Sequence, residues 1–471
     1  MRSFEGVHVA SNRTSVPTQP ASGRRPKEEA AAWPVPLPSR AELASAFSQA
    51  LDLVEGRQPG HAARVCCVAL NLAEAVDLEA EERWVVYYAA LLHDAGAGAA
   101  SAELCRILNL TEEALFAAEP GRSPQQLALE IAPGNAPAVV EVLHAHPARG
   151  AQVARALGFN GKVQAAIGAH HERWDGHGYP RALKGGKVPV AARLVAAGDL
   201  IESLIAAEAN PLNARRTIVA ALAEFSATAL EPELASVARE LVRSDRFWLG
   251  LHNELLPQEL PERCPELSNA PERSPADLRA FATVFAALAD GKGEHTQEHA
   301  TRTAEIADTL AGALHLDPAR REQLRVAALL HDVGLMGVPA RTIAKPDILS
   351  LAEMEAMRKH PSFSQMVLEG LPGLEEIARW VGAHHERPDG RGYPEMLDDE
   401  SIPLEARIIA LADTYVALTS ARPYRRALSH EDAQQVLLGG AGTQLDRKLV
   451  QVLCAMEPRS SRSAPRSART R

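Results

Sequence analysis

The chain has 471 residues, a formal net charge of −10, and 46% hydrophobic and 23% charged residues, so two or three soluble globular domains are expected. The acidic balance argues against a nucleic-acid polymer as partner, and five cysteines without a C-x-x-C pattern argue against a disulfide framework or a cysteine zinc site. No secretory leader or bilayer-spanning apolar run is recognised, which predicts a cytoplasmic protein without a membrane span.

Only 4% of the residues are aromatic, while alanine and leucine are abundant, and this composition favours an all-α fold. In chain order, residues 1–40 are rich in Pro, Ser, Arg and Gly and predict a disordered arm. Two long helical segments follow, at 41–255 and 276–457, separated by a proline-rich stretch at 256–275 that predicts a linker. The arginine-rich residues 458–471 predict a disordered basic tail.

The two helical segments repeat each other. HHERWDGHGYP at 170–180 matches HHERPDGRGYP at 384–394 in nine of eleven positions, and LLHDAG at 91–96 matches LLHDVG at 329–334. The spacings also agree, apart from a 24-residue insertion in the first copy between its HD dipeptide and His146, the next matched histidine. The repeat unit is as large as a domain, which predicts a duplicated helical bundle rather than a solenoid.

Each copy carries five histidines and two aspartates at matching offsets, along the apolar faces of predicted helices. In the second copy they are His299, His331, Asp332, His360, His384, His385 and Asp413. In the first copy they are His61, His93, Asp94, His146, His170, His171 and Asp199. Four histidines outside the repeated set are predicted to be surface or capping residues: His144, His177, His295 and His315.

Buried imidazoles and carboxylates are costly unless something pairs with them, and this donor set suits Fe, Mn or Zn. Because neighbours on a helix diverge by about 100°, an aspartate beside a histidine can bridge two ions while the histidine binds one. Two ions roughly 3.5–4 Å apart activate water for phosphoester hydrolysis. A single histidine such as His360 is more often a satisfied core residue, but the twofold recurrence of seven residues predicts a metal centre.

The stretch from Asp389 to Pro394 follows the histidine pair and contains the Gly and Pro residues of a tight, irregular turn. It either ends the preceding helix or folds over the site. In the second case Gly392 and Tyr393 would line the substrate pocket.

Together these elements closely resemble the HD-GYP family of the HD phosphohydrolase superfamily, over nearly all of 290–445. The resemblance implies all-helical domains that bind two or three Fe or Mn ions and hydrolyse cyclic dinucleotides, chiefly cyclic di-GMP. It assigns the seven residues of each copy as ligands and gives His331 and Asp332 the catalytic role. It also implies that Arg422 and Arg425, within LTSARPYRRA, hold the substrate phosphates.

Two departures in the second copy weaken the likeness. The lysine of the family's HD-x-G-K pattern is Leu335 here, and the glutamate of trimetal members is His295, so two ions are expected rather than three. In the first copy the lysine position is Ala97, and Glu208 and Pro211 stand where the two arginines do in the second. The first copy is therefore expected to hold metal but turn over little, serving as a sensor or dimerisation partner.

Three functions remain open from the sequence. The leading hypothesis is a cyclic di-GMP phosphodiesterase working through the second copy, with two divalent ions there and a second candidate metal site in the first copy. The alternatives are a signalling module that binds a nucleotide or a protein partner without hydrolysis, and an HD phosphohydrolase of another nucleotide phosphoester. A second copy of the chain or a signalling protein would be the partner.

Overall fold

The computed structural model describes the following residues: 36–98 without 55 and 58, 102, 104, 105, 108, 124–208, 211–253, 255–263, 274–292, 298–421 and 426–456. The regular secondary structure of these residues is all helical, without a β-strand. The expected all-α fold is confirmed. The arm expected over 1–40 lies outside the described residues up to position 35, and the basic tail expected over 458–471 lies wholly outside them.

The described helices of the first copy are α1 (Arg40–Val54), α2 (His61–Ala75), α3 (Ala80–Leu91), α4 (Pro124–Ile131), α5 (Ala136–Ala156), α6 (Gly161–Ile167), α7 (Val190–Ala207), α8 (Pro211–Glu224), α9 (Pro232–Arg243) and α10 (Asp245–Leu251). Short 3₁₀ turns lie at Pro133–Asn135 and Gly185–Lys187. Helix α11 (Leu256–Glu259) and a 3₁₀ turn at Leu260–Arg263 connect to the second copy.

The described helices of the second copy are α12 (Pro275–Asp290), α13 (His299–Ala313), α14 (Pro318–Leu330), α15 (Ala340–Ile343), α16 (Leu351–Arg358), α17 (His360–Glu369), α18 (Glu375–Gly382), α19 (Leu404–Thr419), α20 (His430–Gly440) and α21 (Arg447–Ala455). A 3₁₀ turn at Val333–Gly337 follows the HD dipeptide.

Local sequence fixes where several of these helices begin. The Asp317 carboxylate accepts two backbone N–H groups of the first turn of α14, and Pro318 occupies the first helical position, where an N–H is not needed. At α16, the side chains of Ser350 and Glu353 each accept the other's backbone N–H in a capping box. These caps give the helices that carry or precede the histidines defined starting points.

The first helices of the two copies pack against each other. The Phe47 ring of α1 stacks on Phe285 of α12 with centroids 4.4 Å apart and lies 6.0 Å from Phe281. At the edge of this contact the Arg40 Nε donates to the Asp277 carboxylate over 3.0 Å. One cluster of buried apolar residues extends from the first copy into the second, so the two copies share a hydrophobic core.

Part of the stretch expected to be a linker is helical and packed. Leu256 and Leu260 are buried in the shared core, and the Ser45 hydroxyl of α1 donates to the Pro257 carbonyl. Pro257 is the second residue of this short helix, within the first turn, where the backbone N–H has no intrahelical partner, so the proline costs no hydrogen bond there. Composition alone does not reveal the two leucines as core residues. Residues 264–273 of the same stretch lie outside the described residues.

None of the helices in the described part of the chain is both long enough and apolar enough to span a membrane.

Candidate metal centre

Five separate segments carry the seven candidate ligands of the second copy. His299 is the first residue of α13, His331 and Asp332 follow α14, and His360 is the first residue of α17. The remaining three are His384 and His385, directly after α18, and Asp413, in the middle of α19. The structure brings all seven together. The clustering depends on tertiary packing, since more than 110 positions separate the first and last of them along the chain.

Asp332 lies between two groups of imidazoles. Its Oδ1 is 3.2 Å from the His360 Nε2 and 3.8 Å from the His384 Nε2, whereas its Oδ2 is 3.3 Å from the His331 Nε2. His385 completes the first group, and His299 the second, with the ligand atoms of each group within 4.8 Å of one another. The two carboxylate oxygens of one aspartate therefore face two different sets of nitrogen donors.

Asp413 lies on the side of the second group. Its Oδ1 is 3.0 Å from the His299 Nε2, which itself is 3.8 Å from the Asp332 Oδ2. Two carboxylates thus face the imidazole at the start of α13. Burial opposes ionisation of Asp413, but hydrogen bonding and the charge of His299 dominate and hold the pKa of its carboxyl below the ordinary range.

Backbone carbonyls orient the imidazoles. The Nδ1 of His331 bonds the Ala328 carbonyl over 2.7 Å, and the Nδ1 atoms of His360 and His384 make the same bond to the carbonyl three residues earlier, over 2.8 and 2.6 Å. A carbonyl can only accept, so each Nδ1 carries a proton, and each Nε2 can bind an ion once it is unprotonated. The His331 Nε2 is buried and makes no hydrogen bond of good geometry, and the Asp332 Oδ2 lies 3.3 Å away as its charged neighbour.

The electrostatics divide the cluster into two parts. Burial alone would lower the pKa of His331, but the Asp332 carboxylate outweighs it and raises that pKa to about 9. Burial and the neighbouring His360 instead lower the pKa of His385 to about 4, and burial with His385 lowers that of His384. The metal-free site therefore holds an imidazolium–carboxylate pair beside imidazoles that are already neutral.

These features fit a divalent cation. The donor set consists of imidazole nitrogens and carboxylate oxygens, without a thiolate, and one buried Nε2 has no other partner. This combination suits Fe, Mn or Zn rather than Ca²⁺ or Mg²⁺, which prefer oxygen alone.

The first copy repeats the arrangement with its own seven residues. The Asp94 Oδ2 is 3.0 Å from the His93 Nε2, and its Oδ1 is 3.4 Å from the His146 Nε2. His170 and His171 join His146 in one group, while His61 joins the HD pair in the other, and Asp199 Oδ1 is 3.6 Å from the His61 Nε2. The Nε2 atoms of three histidines are buried without a hydrogen-bond partner: His61, His93 and His170.

A glycine after each HD dipeptide allows the close approach that builds the site. A Cβ on Gly334 would lie 2.1 Å from the His360 carbonyl oxygen, and one on Gly96 would lie 1.9 Å from that of His146. Contacts this short are forbidden, so only glycine lets the HD turn pack against the helix that carries the next histidine.

Two buried aspartates that the sequence did not single out hold the first ligand helix of each copy. The Asp290 carboxylate accepts the Ala300 N–H over 3.2 Å, and Asp52 accepts the N–H of Gly60 over 2.7 Å. Burial raises the pKa of both carboxyls to about 6. Each stands nine positions before the first histidine of its copy, an offset that a comparison of the two repeats would have revealed.

Another missed carboxylate shapes the loop after the histidine pair. The buried Glu386 accepts the N–H groups of Glu395 and Leu397 over 2.7 and 3.0 Å and folds the loop back on itself. A Cβ on Gly392 would lie 2.5 Å from the Glu386 Cα, so this turn requires glycine. Glu172 holds the first copy's loop in the same way.

The loop places an aromatic ring over the metal-ligand cluster. The Tyr393 ring stacks on His385 with centroids 4.9 Å apart, and the Arg358 guanidinium lies 5.4 Å from the tyrosine centroid. In the first copy Tyr179 stacks on His171, and His144 stacks on the tyrosine in place of the arginine. His144, expected to be a surface or capping residue, is thus a ring neighbour of the site.

Some of the positions expected to contact the substrate phosphates lie within the described residues and others do not. Arg422 and Arg425 lie outside the described residues, as does His295. Leu335 lies in the 3₁₀ turn after the HD dipeptide, where its N–H donates to the Asp332 carbonyl over 2.9 Å. In the first copy Glu208 lies just after the end of α7.

The sequence profile of the family described as "HD domain" matches residues 98–233 and 283–449. Each match falls in one copy, and together they cover more than half of the chain.

Several curated relatives are phosphodiesterases of Vibrio cholerae serotype O1. "3′3′-cGAMP-specific phosphodiesterase 3" is 30% identical over 430 residues, which is 86% of this chain and 92% of that protein. "3′3′-cGAMP-specific phosphodiesterase 1" is 26% identical over 83% of this chain and 85% of its own length. A "Cyclic di-GMP phosphodiesterase" is 37% identical, but over only 37% of this chain and 38% of its own length.

Among solved structures, the crystal structure of a cyclic GMP-AMP-specific phosphodiesterase of V. cholerae, V-cGAP3, matches with a TM-score of 0.65 and 28% identity. The match covers 89% of this chain and 97% of that one. The tandem arrangement of both copies is therefore shared over almost the whole of that structure.

Proposed function

The chain belongs to the HD domain family, in its HD-GYP type, and on that basis we propose that it is a metal-dependent phosphodiesterase that hydrolyses a cyclic dinucleotide. The observation that carries the proposal is the position of Asp332, whose two oxygens face separate groups of imidazoles. That is the geometry needed to hold two adjacent cations with one shared carboxylate.

In this proposal the second copy holds two divalent ions, Fe or Mn, with the seven residues from His299 to Asp413 as ligands. When bound, the ions would supply Lewis acidity and activate water for attack. Asp332 and His331 would help to hold them, because the backbone bond at the His331 Nδ1 leaves its Nε2 facing Asp332. The Tyr393 ring, stacked on His385 and held by the turn at Gly392, covers one side of the cluster.

The substrate phosphates need cationic partners. We assign Arg422 and Arg425 to this role from the family pattern, since one guanidinium can donate two parallel hydrogen bonds to the oxygens of a phosphate. The first copy offers Glu208 and Pro211 at the matching positions and Ala97 in place of the family's lysine. It keeps the metal ligands but lacks these cations, so we propose that the second copy performs the turnover and the first serves as a metal-bearing regulatory or dimerisation module.

The choice of dinucleotide rests on the length of this chain that each relative matches. The relatives that match along both copies are named for 3′3′-cGAMP, whereas a relative named for cyclic di-GMP matches over a shorter length at higher identity. We propose that 3′3′-cGAMP and cyclic di-GMP are the two substrates to compare. The ratio of their kcat/KM values measures the preference.

The test uses full-length protein purified without oxygen and loaded with Mn²⁺ or Fe²⁺. Hydrolysis of both dinucleotides is measured for the wild type, for Asp332→Asn and for the matched variant Asp94→Asn. We expect Asp332→Asn to lose at least about 10³-fold in kcat, because the shared ligand is removed, while Asp94→Asn keeps most of the activity. Equal losses in the two variants, or full activity in Asp332→Asn, would show that the second copy is not the working centre.

A non-hydrolysing dinucleotide-binding protein is the second candidate. Leu335 favours it, because an apolar side chain replaces a lysine that in the family reaches a substrate phosphate. Loss of one phosphate cation from a desolvated site costs on the order of 10²–10³ in rate. Tight binding of a dinucleotide by metal-loaded protein without any product would select this function.

A further inference from the structure

An arginine beside the second metal-ligand cluster is held by hydroxyl groups. Arg302 lies one turn after His299 on α13, so the two side chains share a helix face. Its Nη1 donates to the Ser420 hydroxyl over 2.6 Å and its Nη2 donates to the Thr419 hydroxyl over 3.2 Å. Both hydroxyls lie at the end of α19, immediately before the segment at 421–427 that carries the expected phosphate-binding arginines.

The hydrogen-bond partners of the Arg302 guanidinium are uncharged. Within the described part of the chain no carboxylate pairs with it, and its two partners are neutral acceptors. A guanidinium has five N–H donors, so it can hold both hydroxyls and still donate to a further oxygen. The side chain is half-buried, which strengthens its attraction for an anion compared with an exposed arginine.

The matching arginine of the first copy is neutralised. Arg64, three residues after His61, donates its Nε and Nη2 to the Glu202 carboxylate over 2.9 and 2.6 Å. Glu202 is only 1% exposed and also bonds the His61 Nδ1. It stands three residues after Asp199, and the residue three after Asp413 in the second copy is Val416.

We propose that Arg302 binds a phosphate oxygen of the cyclic dinucleotide, and that Glu202 has removed the equivalent cation from the first copy. The inference rests on the proposed function for its ligand. Arg302 would also compensate for the lysine that Leu335 replaces, since a guanidinium one turn from a candidate metal ligand can supply the positive charge that the leucine lacks. In the first copy a phosphate would have to displace Glu202 from Arg64 and would be repelled by that carboxylate.

The test measures binding rather than turnover. Mn²⁺-loaded full-length protein is titrated with the bisphosphorothioate analogue of 3′3′-cGAMP, which resists hydrolysis, at two salt concentrations. We expect Arg302→Ala to weaken binding about 10- to 100-fold and to make it less sensitive to salt, with the Mn²⁺ content unchanged. Arg302→Lys should recover part of the affinity. Arg64→Ala is the matched control and should bind as the wild type does.

A further variant introduces the acid of the first copy into the second copy. Val416→Glu puts a carboxylate at the position from which Glu202 neutralises Arg64, and we expect it to weaken binding as Arg302→Ala does. Because a buried glutamate can also unfold the protein, Arg302→Gln provides a conservative second variant with the same expected loss.

Unchanged affinity and salt dependence in Arg302→Ala and Arg302→Gln would overturn the inference. So would a loss of Mn²⁺ content that fully accounts for the weaker binding, since Arg302 would then only support the fold. Failure of the proposed function is seen separately, as wild-type protein that hydrolyses neither 3′3′-cGAMP nor cyclic di-GMP.

Discussion

The protonated histidine in the metal-free centre predicts that metal uptake releases a proton. Asp332 raises the pKa of His331 to about 9 against the opposing effect of burial. At pH 7 most His331 side chains therefore carry a proton on both nitrogens. An ion can bind the His331 Nε2 only after its proton has left, whereas His385, with its pKa lowered to about 4, is already neutral.

The size of the effect follows from the one proton that His331 must lose when an ion binds its Nε2. Between pH 7 and pH 8 the apparent association constant should rise about tenfold from His331 alone, which is about 1.4 kcal/mol. Metal affinity should rise with pH because the pKa of His331 is raised. The proton on its Nε2 competes with the ion, and this competition weakens as the pH approaches 9.

The assay is calorimetric titration of metal-free protein with Mn²⁺ under anaerobic conditions, in buffers of different ionisation enthalpy. The Asp94→Asn background disables the first copy, where His93 has its pKa raised to about 10 and would add its own proton. The double variant Asp94→Asn, Asp332→Asn gives the blank. An affinity that does not change between pH 7 and pH 8, with no proton released, would refute the assignment of His331 as a protonated ligand.

Three further predictions concern the supports of the site. Asp290→Asn keeps an oxygen acceptor for the start of α13 but removes a carboxyl whose pKa is raised to about 6. In metal-free protein this variant should therefore raise the melting temperature at pH 8 and have little effect below pH 4. Equal destabilisation at both pH values would contradict this expectation. Gly334→Ala should lose Mn²⁺ because its Cβ would meet the His360 carbonyl at 2.1 Å, whereas Gly439→Ala, with open space around it, should bind metal normally. Tyr393→Phe should keep most of the kcat/KM, since its ring stacking is retained, and a loss like that of an alanine variant would point to the hydroxyl instead.

The sequence pointed to the seven-residue cluster because the same residues recur at matching offsets in both copies; that they bind metal stays a prediction. A histidine such as His360 has an ordinary explanation on its own, but seven residues at matching offsets in two copies do not. The structure places these seven residues together in each copy. The predicted all-α fold followed from the same helical spacing and from the scarcity of aromatic residues.

Not every supporting residue recurs in this way. Glu202 has no acidic counterpart in the second copy, where Val416 stands at the matching position, so only the packing reveals that it bonds His61. Asp290 does have a counterpart in Asp52, but an acid on an alanine-rich helix is usually solvated, and the contact with the Ala300 N–H becomes visible only in the structure. The contact between Phe47 and Phe285 joins residues more than 230 positions apart, so the shared core was not visible in local patterns.

The most direct test of the account is anomalous diffraction from crystals of the Mn²⁺-loaded protein. The account predicts two peaks in the second copy, roughly 3.5–4 Å apart, with one oxygen of Asp332 directed at each. A single peak that Asp332 does not contact, or none among the seven residues of that copy, would contradict it.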